Sequence, residues 1–213
     1  MSNTRTLRQW KPPLVALAAL ALVAAVVWSA IGWNRGTASN RGAVTRTDNG
    51  QPGLNIQPGF DLYPVSERVP APTLEGTTLD GEPFGPSNLS GKTVVVNVWG
   101  SWCGPCRAET PDLVRLANEN ADRGVRFVGI DTRDNPAAAK AFVRSFRVPY
   151  PSIDDPHGAV LLSFRGVVPT SVVPSTVVID RRGRIAARII GPVNYLTLSG
   201  ILDDELAADG GRR

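Results

Sequence analysis

The sequence predicts an α/β domain in which a mixed sheet of four or five strands carries helices on both faces. The β-branched apolar runs TVVVNVW (93–99) and VRFVGIDT (125–132) predict two buried strands on either side of a segment with helical spacing. Strand–helix–strand order implies a parallel pair with a crossover helix. The run STVVIDRRGRIAARII (175–190) contains a turn at its centre and predicts an antiparallel hairpin, which makes the sheet mixed.

The elements of the first half follow from local patterns. The domain is expected to begin near Asp61–Pro70, and its first element is a short N-terminal hairpin around Asp80–Gly81. After the strand at 93–99, a helix is expected from Cys106 to about Asn120. Apolar side chains recur there at helical spacing, namely Leu113, Leu116 and Ala117.

Three further helices are expected in the second half. The segment 135–148 is helical in pattern, with Asn135 as its cap and Pro136 at its first position. A shorter helix covers Ala159–Phe164, and an amphipathic helix over Tyr195–Leu206 closes the chain.

The excess of positive charge lies in the N-terminal segment. The chain carries 23 Lys and Arg against 19 Asp and Glu, and six of these basic residues, with one acidic residue, precede residue 56. The rest of the chain is close to neutral. A nucleic-acid surface concentrates Lys and Arg on the domain itself, so no nucleic-acid partner is expected.

Residues 12–33 contain no charged side chain and predict a transmembrane signal anchor. At 1.5 Å per residue this segment covers about 33 Å, which is enough for a hydrocarbon core of roughly 30 Å. Trp28 and Trp33 lie near its far end, where interfacial aromatic residues are expected. The alternative is a cleaved signal peptide, whose apolar region is usually only about 7–15 residues long.

The predicted anchor divides the chain into four parts. They are a short cytoplasmic N-terminus (1–11), the anchor (12–33), a flexible Gly- and Asn-rich linker (34–60) and one domain (61–213). Basic residues stand on both sides of the anchor. With the N-terminus inside, the domain lies on the extracytoplasmic side of the cell membrane.

The two cysteines of the chain, Cys103 and Cys106, stand two residues apart in WGSWCGPCRAETP (99–111). A structural zinc site needs about four ligands, and the only other candidate is His157, in a predicted surface turn. Covalent haem needs a histidine directly after the second cysteine, where Arg107 stands. A structural disulfide across so short a loop stabilises little, because the entropy that it removes grows with loop length. A redox centre is therefore favoured.

The flanking elements support a redox centre physically. The pair follows a buried strand and opens a helix, so Cys103 is expected at the helix N-terminus, where unpaired N–H groups and the helix dipole favour a thiolate. Cysteines so placed can have pKa values of about 3.5–7.5. We expect Cys103 to attack a partner's disulfide and Cys106, one turn into the helix, to resolve the mixed disulfide.

The segment NVWGSWCGPCRAETPDLVRL (97–116) resembles the active-site segment of the thioredoxin superfamily. In detail it is similar to that of the membrane-anchored TlpA/ResA/CcmG-like thiol–disulfide oxidoreductases. The similarity runs from about Pro70 to the C-terminal helix and includes LDGEPFGPSNLSGKTVVVNVW, GVRFVGIDT and VVPSTVVIDRRGRIAARIIG. It implies a thioredoxin-like fold.

The resemblance also implies roles for individual residues. Cys103 is the nucleophile and Cys106 the resolving thiol of a redox disulfide. Val173–Pro174 is the cis peptide opposite the disulfide, which exposes backbone for pairing with a substrate chain; Pro169 is the alternative position. Trp102 borders the site as a substrate contact, with a packing role as the alternative.

Glu109 matches the acidic residue of the family's CxxCxxExP pattern. A carboxylate one helical turn from the thiols can shuttle their protons or raise a thiol pKa. The alternative is a first-turn glutamate that serves the helix dipole. Asn97 stands where cytoplasmic thioredoxins usually carry a buried aspartate, and its amide takes up no proton. Any internal acid is therefore expected to be Glu109.

The resemblance implies thiol–disulfide exchange on extracytoplasmic proteins that carry thiols or disulfides, without a cofactor or metal. It favours a reductant that takes electrons from a membrane thiol–electron transporter and keeps target cysteines reduced. The haem-binding cysteines of apocytochrome c are an example of such targets, which would place the protein in cytochrome c-type biogenesis. A disulfide-forming oxidant and a non-enzymatic copper carrier are the alternatives.

Overall fold

The computed structural model describes residues 44–46, 52–54 and 59–210. The predicted cytoplasmic segment and anchor (1–33) lie outside these residues, as does most of the predicted linker. No helix within the described ranges is long and apolar enough to cross a membrane. The proposed division of the chain into anchor, linker and domain therefore stays a prediction.

Ten strands and four α-helices make up the described residues. The strands are β1 (Val44–Arg46), β2 (Pro52–Leu54), β3 (Gly59–Leu62), β4 (Gly76–Thr77), β5 (Pro83–Phe84), β6 (Thr93–Trp99), β7 (Val125–Thr132), β8 (Ser152–Asp155), β9 (Ser175–Ile179) and β10 (Ile185–Ile190). The helices are α1 (Gly104–Glu119), α2 (Pro136–Phe146), α3 (Ala159–Ser163) and α4 (Tyr195–Gly210). Two short 3₁₀ helices lie at Pro86–Asn88 and Ala121–Arg123.

A six-stranded mixed sheet in the order β3-β10-β9-β6-β7-β8 forms the centre of the domain. Strands β6, β7 and β8 are parallel, whereas β9 runs antiparallel to β6, and β10 to β9. The predicted α/β class, the parallel β6–β7 pair and the β9–β10 hairpin are confirmed. The short hairpin around Asp80–Gly81 is confirmed as the antiparallel pair β4–β5.

The prediction of four or five strands in the sheet is wrong, because both edge strands were missed. The edge strands GFDL (β3) and SIDD (β8) are four residues long, and each pairs with one neighbour only. SIDD has no apolar alternation, and the short alternation of GFDL is inverted, because Phe60 and Leu62 are exposed and Asp61 is buried. The segment predicted as linker also contains the antiparallel pair β1–β2 and the first residues of β3. Backbone pairing there has no hydrophobic pattern to predict it.

The predicted helices are all present, with shifted ends. Helix α1 starts two residues earlier than expected, α3 ends one residue earlier, and α4 continues beyond Leu206 to Gly210. Asn135 caps α2 as predicted: its side-chain oxygen accepts hydrogen bonds from the N–H groups of Ala137 and Ala138. The ends of helices are hard to predict because the residues of exposed terminal turns show no clear hydrophobic pattern.

The side chains of β6 alternate between the two faces of the sheet, and this alternation determines which of them face α1. We call α1 the redox helix because the cysteine pair lies at its start. Val94, Val96 and Val98 point into the core cluster that contains α3 residues. Val95 points to the opposite face and packs with Leu113 of α1 and with apolar residues of α4. Because side chains alternate with period two, Asn97 and Trp99 belong to the α1 face, beneath the cysteines.

A buried ion cluster joins the segment before β4 to the residue after β9 and to helix α4. The Arg68 guanidinium donates to Asp180 at 3.1 Å, to both oxygens of Glu205 at 2.7 and 2.5 Å, and to the carbonyl oxygen of Tyr63 at 3.0 Å. Less than a tenth of each charged side chain is exposed. This cluster joins three stretches of chain that are distant in sequence.

Replacing Arg68 with alanine is expected to destabilise the folded chain by about 3–5 kcal/mol, because Asp180 and Glu205 would keep their burial but lose their shared cation. Urea denaturation of the disulfide-intact protein measures this loss. The matched control is Arg123→Ala, which breaks the exposed ion pair with Asp203. Its expected cost is about 0–1 kcal/mol. Equal losses for the two variants would contradict the role assigned to the cluster.

Candidate redox site

Cys103 and Cys106 form a disulfide at the point where β6 passes into α1. Cys103 is the N-cap residue of the helix, and the N–H of Cys106 donates to the Cys103 sulfur at 3.1 Å. The exposed fraction is 3% for Cys103 and 0% for Cys106. The cap geometry supplies the helix N-terminus that favours a thiolate on Cys103.

Apolar side chains surround the disulfide on its inner side. Trp99 and Phe142 belong to the same buried cluster as the two cysteines, and their rings are 4.6 Å apart. Arg107, the residue after Cys106, places its guanidinium over the rings of Phe142 and Phe146 at 5.5 and 5.3 Å. This stacking holds a positive charge of α1 against α2, one residue after Cys106.

The peptide bond between Val173 and Pro174 is cis, and it is the only cis bond among the described residues. The prediction of Pro174 in preference to Pro169 is therefore confirmed. The Val173 carbonyl oxygen lies 3.8 Å from the Cys103 sulfur, so the loop before β9 covers the disulfide. In the reduced protein the Cys103 thiol can donate to this carbonyl.

Trp102 stands beside the disulfide with 54% of its surface exposed. Its indole lies against the backbone of Gly100: a Cβ added to Gly100 would stand 2.5 Å from the indole nitrogen. Only glycine allows this approach. The packing alternative therefore accounts for one face of the ring and leaves the remainder open to a partner.

Glu109 is buried, with 3% of its surface exposed, although it belongs to the second turn of α1. One carboxylate oxygen accepts from the Asn97 amide at 2.9 Å, and the other accepts from the N–H of Val193 at 2.8 Å. The same Asn97 amide also donates to the Thr176 hydroxyl at 3.2 Å. The carboxylate thus faces the interior of the domain and does not cap the helix N-terminus.

Burial raises the pKa of Glu109 to about 7, and the hydrogen bonds from Val193 and Asn97 act in the opposite direction by favouring the carboxylate. The group therefore exchanges a proton near neutral pH. Asn97, the departure from cytoplasmic thioredoxins, serves as a hydrogen-bond donor to this acid.

Sequence reasoning missed the contacts that hold the segment before Cys103. Asp134, in the loop between β7 and α2, accepts hydrogen bonds from both the N–H and the hydroxyl of Ser101. No local pattern marks this contact, because Asp134 and Ser101 are 33 residues apart in the chain. His157 lies in an exposed turn, as predicted.

The raised pKa of Glu109 predicts a pH-dependent contribution to stability. The folded state holds the proton more tightly than the unfolded chain, whose glutamate has the ordinary value of 4.5. Glu109 therefore stabilises the fold fully below about pH 4.5, and this stabilisation of about 3 kcal/mol is lost as the pH rises to about 7.

Urea denaturation of the wild type and of Glu109→Gln across this range tests the assignment. The variant is less stable at low pH, because its amide places a donor against Asn97 or Val193. The difference in the free energy of unfolding between the wild type and Glu109→Gln is expected to become smaller as the pH rises. Parallel curves would show that Glu109 does not titrate in this window.

Sequence similarity to known proteins agrees with this fold and with this redox site. The Redoxin family profile matches residues 64–203. The chain is 30% identical over 156 residues to the thiol–disulfide oxidoreductase ResA of Bacillus thuringiensis, which covers 72% of this chain and 88% of that protein. It is 35% identical over 145 residues to the thiol:disulfide interchange protein HelX of Rhodobacter capsulatus, covering 67% and 77%.

A solved structure extends the similarity to three dimensions. A secreted thiol–disulfide isomerase from Corynebacterium glutamicum aligns with a TM-score of 0.67 at 29% identity, covering 78% of this chain and 98% of that one. The chain therefore belongs to the Redoxin family, has a thioredoxin-like fold, and is similar within that family to thiol–disulfide oxidoreductases.

Proposed function

We propose that this chain, a thiol–disulfide oxidoreductase, acts as a reductant of extracytoplasmic proteins through Cys103 and Cys106. The observation that carries the exchange chemistry is the N-capping of α1 by Cys103, with the Cys106 N–H on its sulfur and the Val173 carbonyl beside it. The reducing direction rests instead on the carboxylates near the pair. This arrangement favours a thiolate at the surface end of the pair and supplies backbone that can pair with an incoming chain.

The exchange proceeds in two steps that conserve electrons. The Cys103 thiolate attacks one sulfur of the partner's disulfide, which breaks that bond, forms a mixed disulfide and releases the partner's first thiolate. The Cys106 thiolate then attacks the Cys103 sulfur. The mixed bond breaks, the Cys103–Cys106 disulfide forms, and the partner leaves as a dithiol with two more electrons.

Glu109 is the residue that we assign to proton transfer with Cys106. It lies one helical turn from that cysteine, is shielded from solvent, and has a pKa of about 7. Such a group can accept the Cys106 proton before the resolving step and return it when the pair is reduced again.

The charges around the cysteine pair support the reducing direction. Reduction creates a thiolate, and nearby carboxylates make that negative charge less favourable than the neutral disulfide. Glu109 lies behind the pair on α1, and Asp134 contacts the segment before Cys103. The helix N-terminus acts in the opposite direction, so the reduction potential reports which of these effects is larger.

We also propose that the enzyme works while tethered to the membrane. The support is the uncharged segment 12–33, which is followed by a stretch rich in Gly, Asn, Ser and Thr. A tethered domain on the extracytoplasmic side can receive electrons from a membrane thiol transporter and pass them to proteins such as apocytochrome c. The similarity to a secreted isomerase supports the same side of the membrane.

The reduction potential of the full chain distinguishes a reductant from an oxidant. Equilibration with glutathione at pH 7 is expected to give a value close to that of thioredoxin, about −270 mV. A value near about −120 mV, typical of the strongest disulfide-forming oxidant, would overturn the proposed direction.

A Cys106→Ser variant is expected to trap partners as covalent adducts, because the mixed disulfide on Cys103 then lacks its resolving thiol. Non-reducing electrophoresis of cells that express the full chain detects such adducts, and mass spectrometry identifies the partner. The double variant Cys103→Ser/Cys106→Ser is the matched control and should give none. If the single variant forms no adduct beyond this control, the chain does not act on proteins through Cys103.

A further inference from the structure

Asp131 is a further buried acid, so the expectation that any internal acid would be Glu109 is wrong. It lies in β7 between Trp99 of β6 and Asp154 of β8. These neighbours are distant in the chain, and the burial of Asp131 depends on the packing of three strands. Its exposed fraction is 1%, and neither carboxylate oxygen accepts an N–H or O–H of the described residues. An ionised carboxylate in such a place is strongly unfavourable, so the group needs a proton.

The charged groups that face Asp131 are all acidic. Asp134, in the loop after β7, lies within hydrogen-bonding reach of it, and Asp154 and Asp155 approach from β8. The neighbour on β6 is the neutral ring of Trp99. Like charges close together are unfavourable, so these carboxyl groups add to burial in favouring the protonated form of Asp131.

Asp131 and Asp134 differ in their other contacts. Burial, followed by the neighbouring carboxylates, raises the pKa of Asp131 to about 8. Asp134 is half-buried, and its oxygens accept from the Ser101 hydroxyl at 2.8 Å, from the Ser101 N–H, and from the N–H of Asn135 at 2.7 Å. Three donors therefore hold Asp134 in place, whereas the Asp131 oxygens accept from no donor among the described residues.

Asp134 connects Asp131 to the segment Gly100–Cys103, which we call the redox loop. Ser101, which it holds, lies two residues before Cys103. The N–H of Cys103 donates in turn to the Gly100 carbonyl at 3.1 Å. A displacement of Ser101 therefore moves the residue that precedes the nucleophile.

We propose that Asp131 is a positioning residue for the redox loop: it carries a proton, donates it in a hydrogen bond to Asp134, and thereby keeps Asp134 on Ser101. Ionisation of Asp131 puts two negative charges side by side, which weakens the hold on Ser101 and adds negative charge near the Cys103 thiolate. The added negative charge favours the disulfide over the reduced pair. By linkage, reduction of the pair raises the proton affinity of Asp131.

The test is the glutathione equilibrium of the full chain at pH 6 and pH 9. Asp131→Asn keeps a hydrogen-bond donor towards Asp134 and cannot ionise. At pH 6 its equilibrium constant should match that of the wild type. At pH 9 its reduced form should be favoured at least about threefold over that of the wild type, which by then carries the additional charge.

Asp154→Asn is the matched control, because it removes a neighbouring charge that does not contact Ser101. It should keep the wild-type change between the two pH values. If the ratio of Asp131→Asn to wild type is the same at pH 6 and pH 9, the proposal is wrong. The proposal rests on electron exchange by Cys103 and Cys106, which glutathione reports whether or not the chain acts as a reductant of proteins.

A second measurement needs no variant. The carboxyl carbon of Asp131, followed by carbon-13 NMR in the wild-type chain, should titrate at a higher pH in the reduced protein than in the disulfide form. Identical titrations in the two redox states would overturn the coupling even if Asp131→Asn failed to fold.

Discussion

The burial of the Glu109 carboxylate is the constraint on which the redox surface depends. A buried acid needs donors, and here one comes from Asn97 on β6 and the other from the backbone of Val193 after β10. Through Asn97 the network reaches Thr176, two residues after the cis proline. One carboxylate thus links the redox helix to β6, to the segment after β10 and, through Asn97, to the strand that follows the cis proline.

The disulfide lies between elements that act on its electrons in opposite directions. The N-terminus of α1 directs an N–H to Cys103 and favours a thiolate, whereas carboxylates on two sides disfavour added negative charge. Glu109 and Asp131 both have raised pKa values because of burial. The roles proposed for these two acids would join the redox chemistry to proton uptake on both sides of the pair, through residues of different elements.

Much of the fold could be predicted because the central elements have strong local patterns. The runs 93–99 and 125–132 are rich in β-branched and other apolar residues, and the Asn135–Pro136 start of α2 uses a known capping preference. The edge strands β3 and β8 could not be predicted, because each depends on pairing with one distant neighbour. The alternation of β6 places Asn97 near Glu109, but the hydrogen bond between them needs the helix to pack on the sheet.

The sequence by itself determined the chemistry of this protein: two cysteines at the start of a helix, a proline in position to be cis, and an acid one turn further along. The place of the cysteine pair follows from residue type and spacing, which act over a few residues, whereas the cis proline and the acid follow from the resemblance to the thioredoxin superfamily. Only the tertiary structure decided how burial and hydrogen bonding change the chemical properties of those groups. The burial of Glu109 and the hold of Asp134 on Ser101 join segments separated by 12 to 84 residues in the chain. Desolvation and hydrogen bonding of this kind exist only once those segments are packed together.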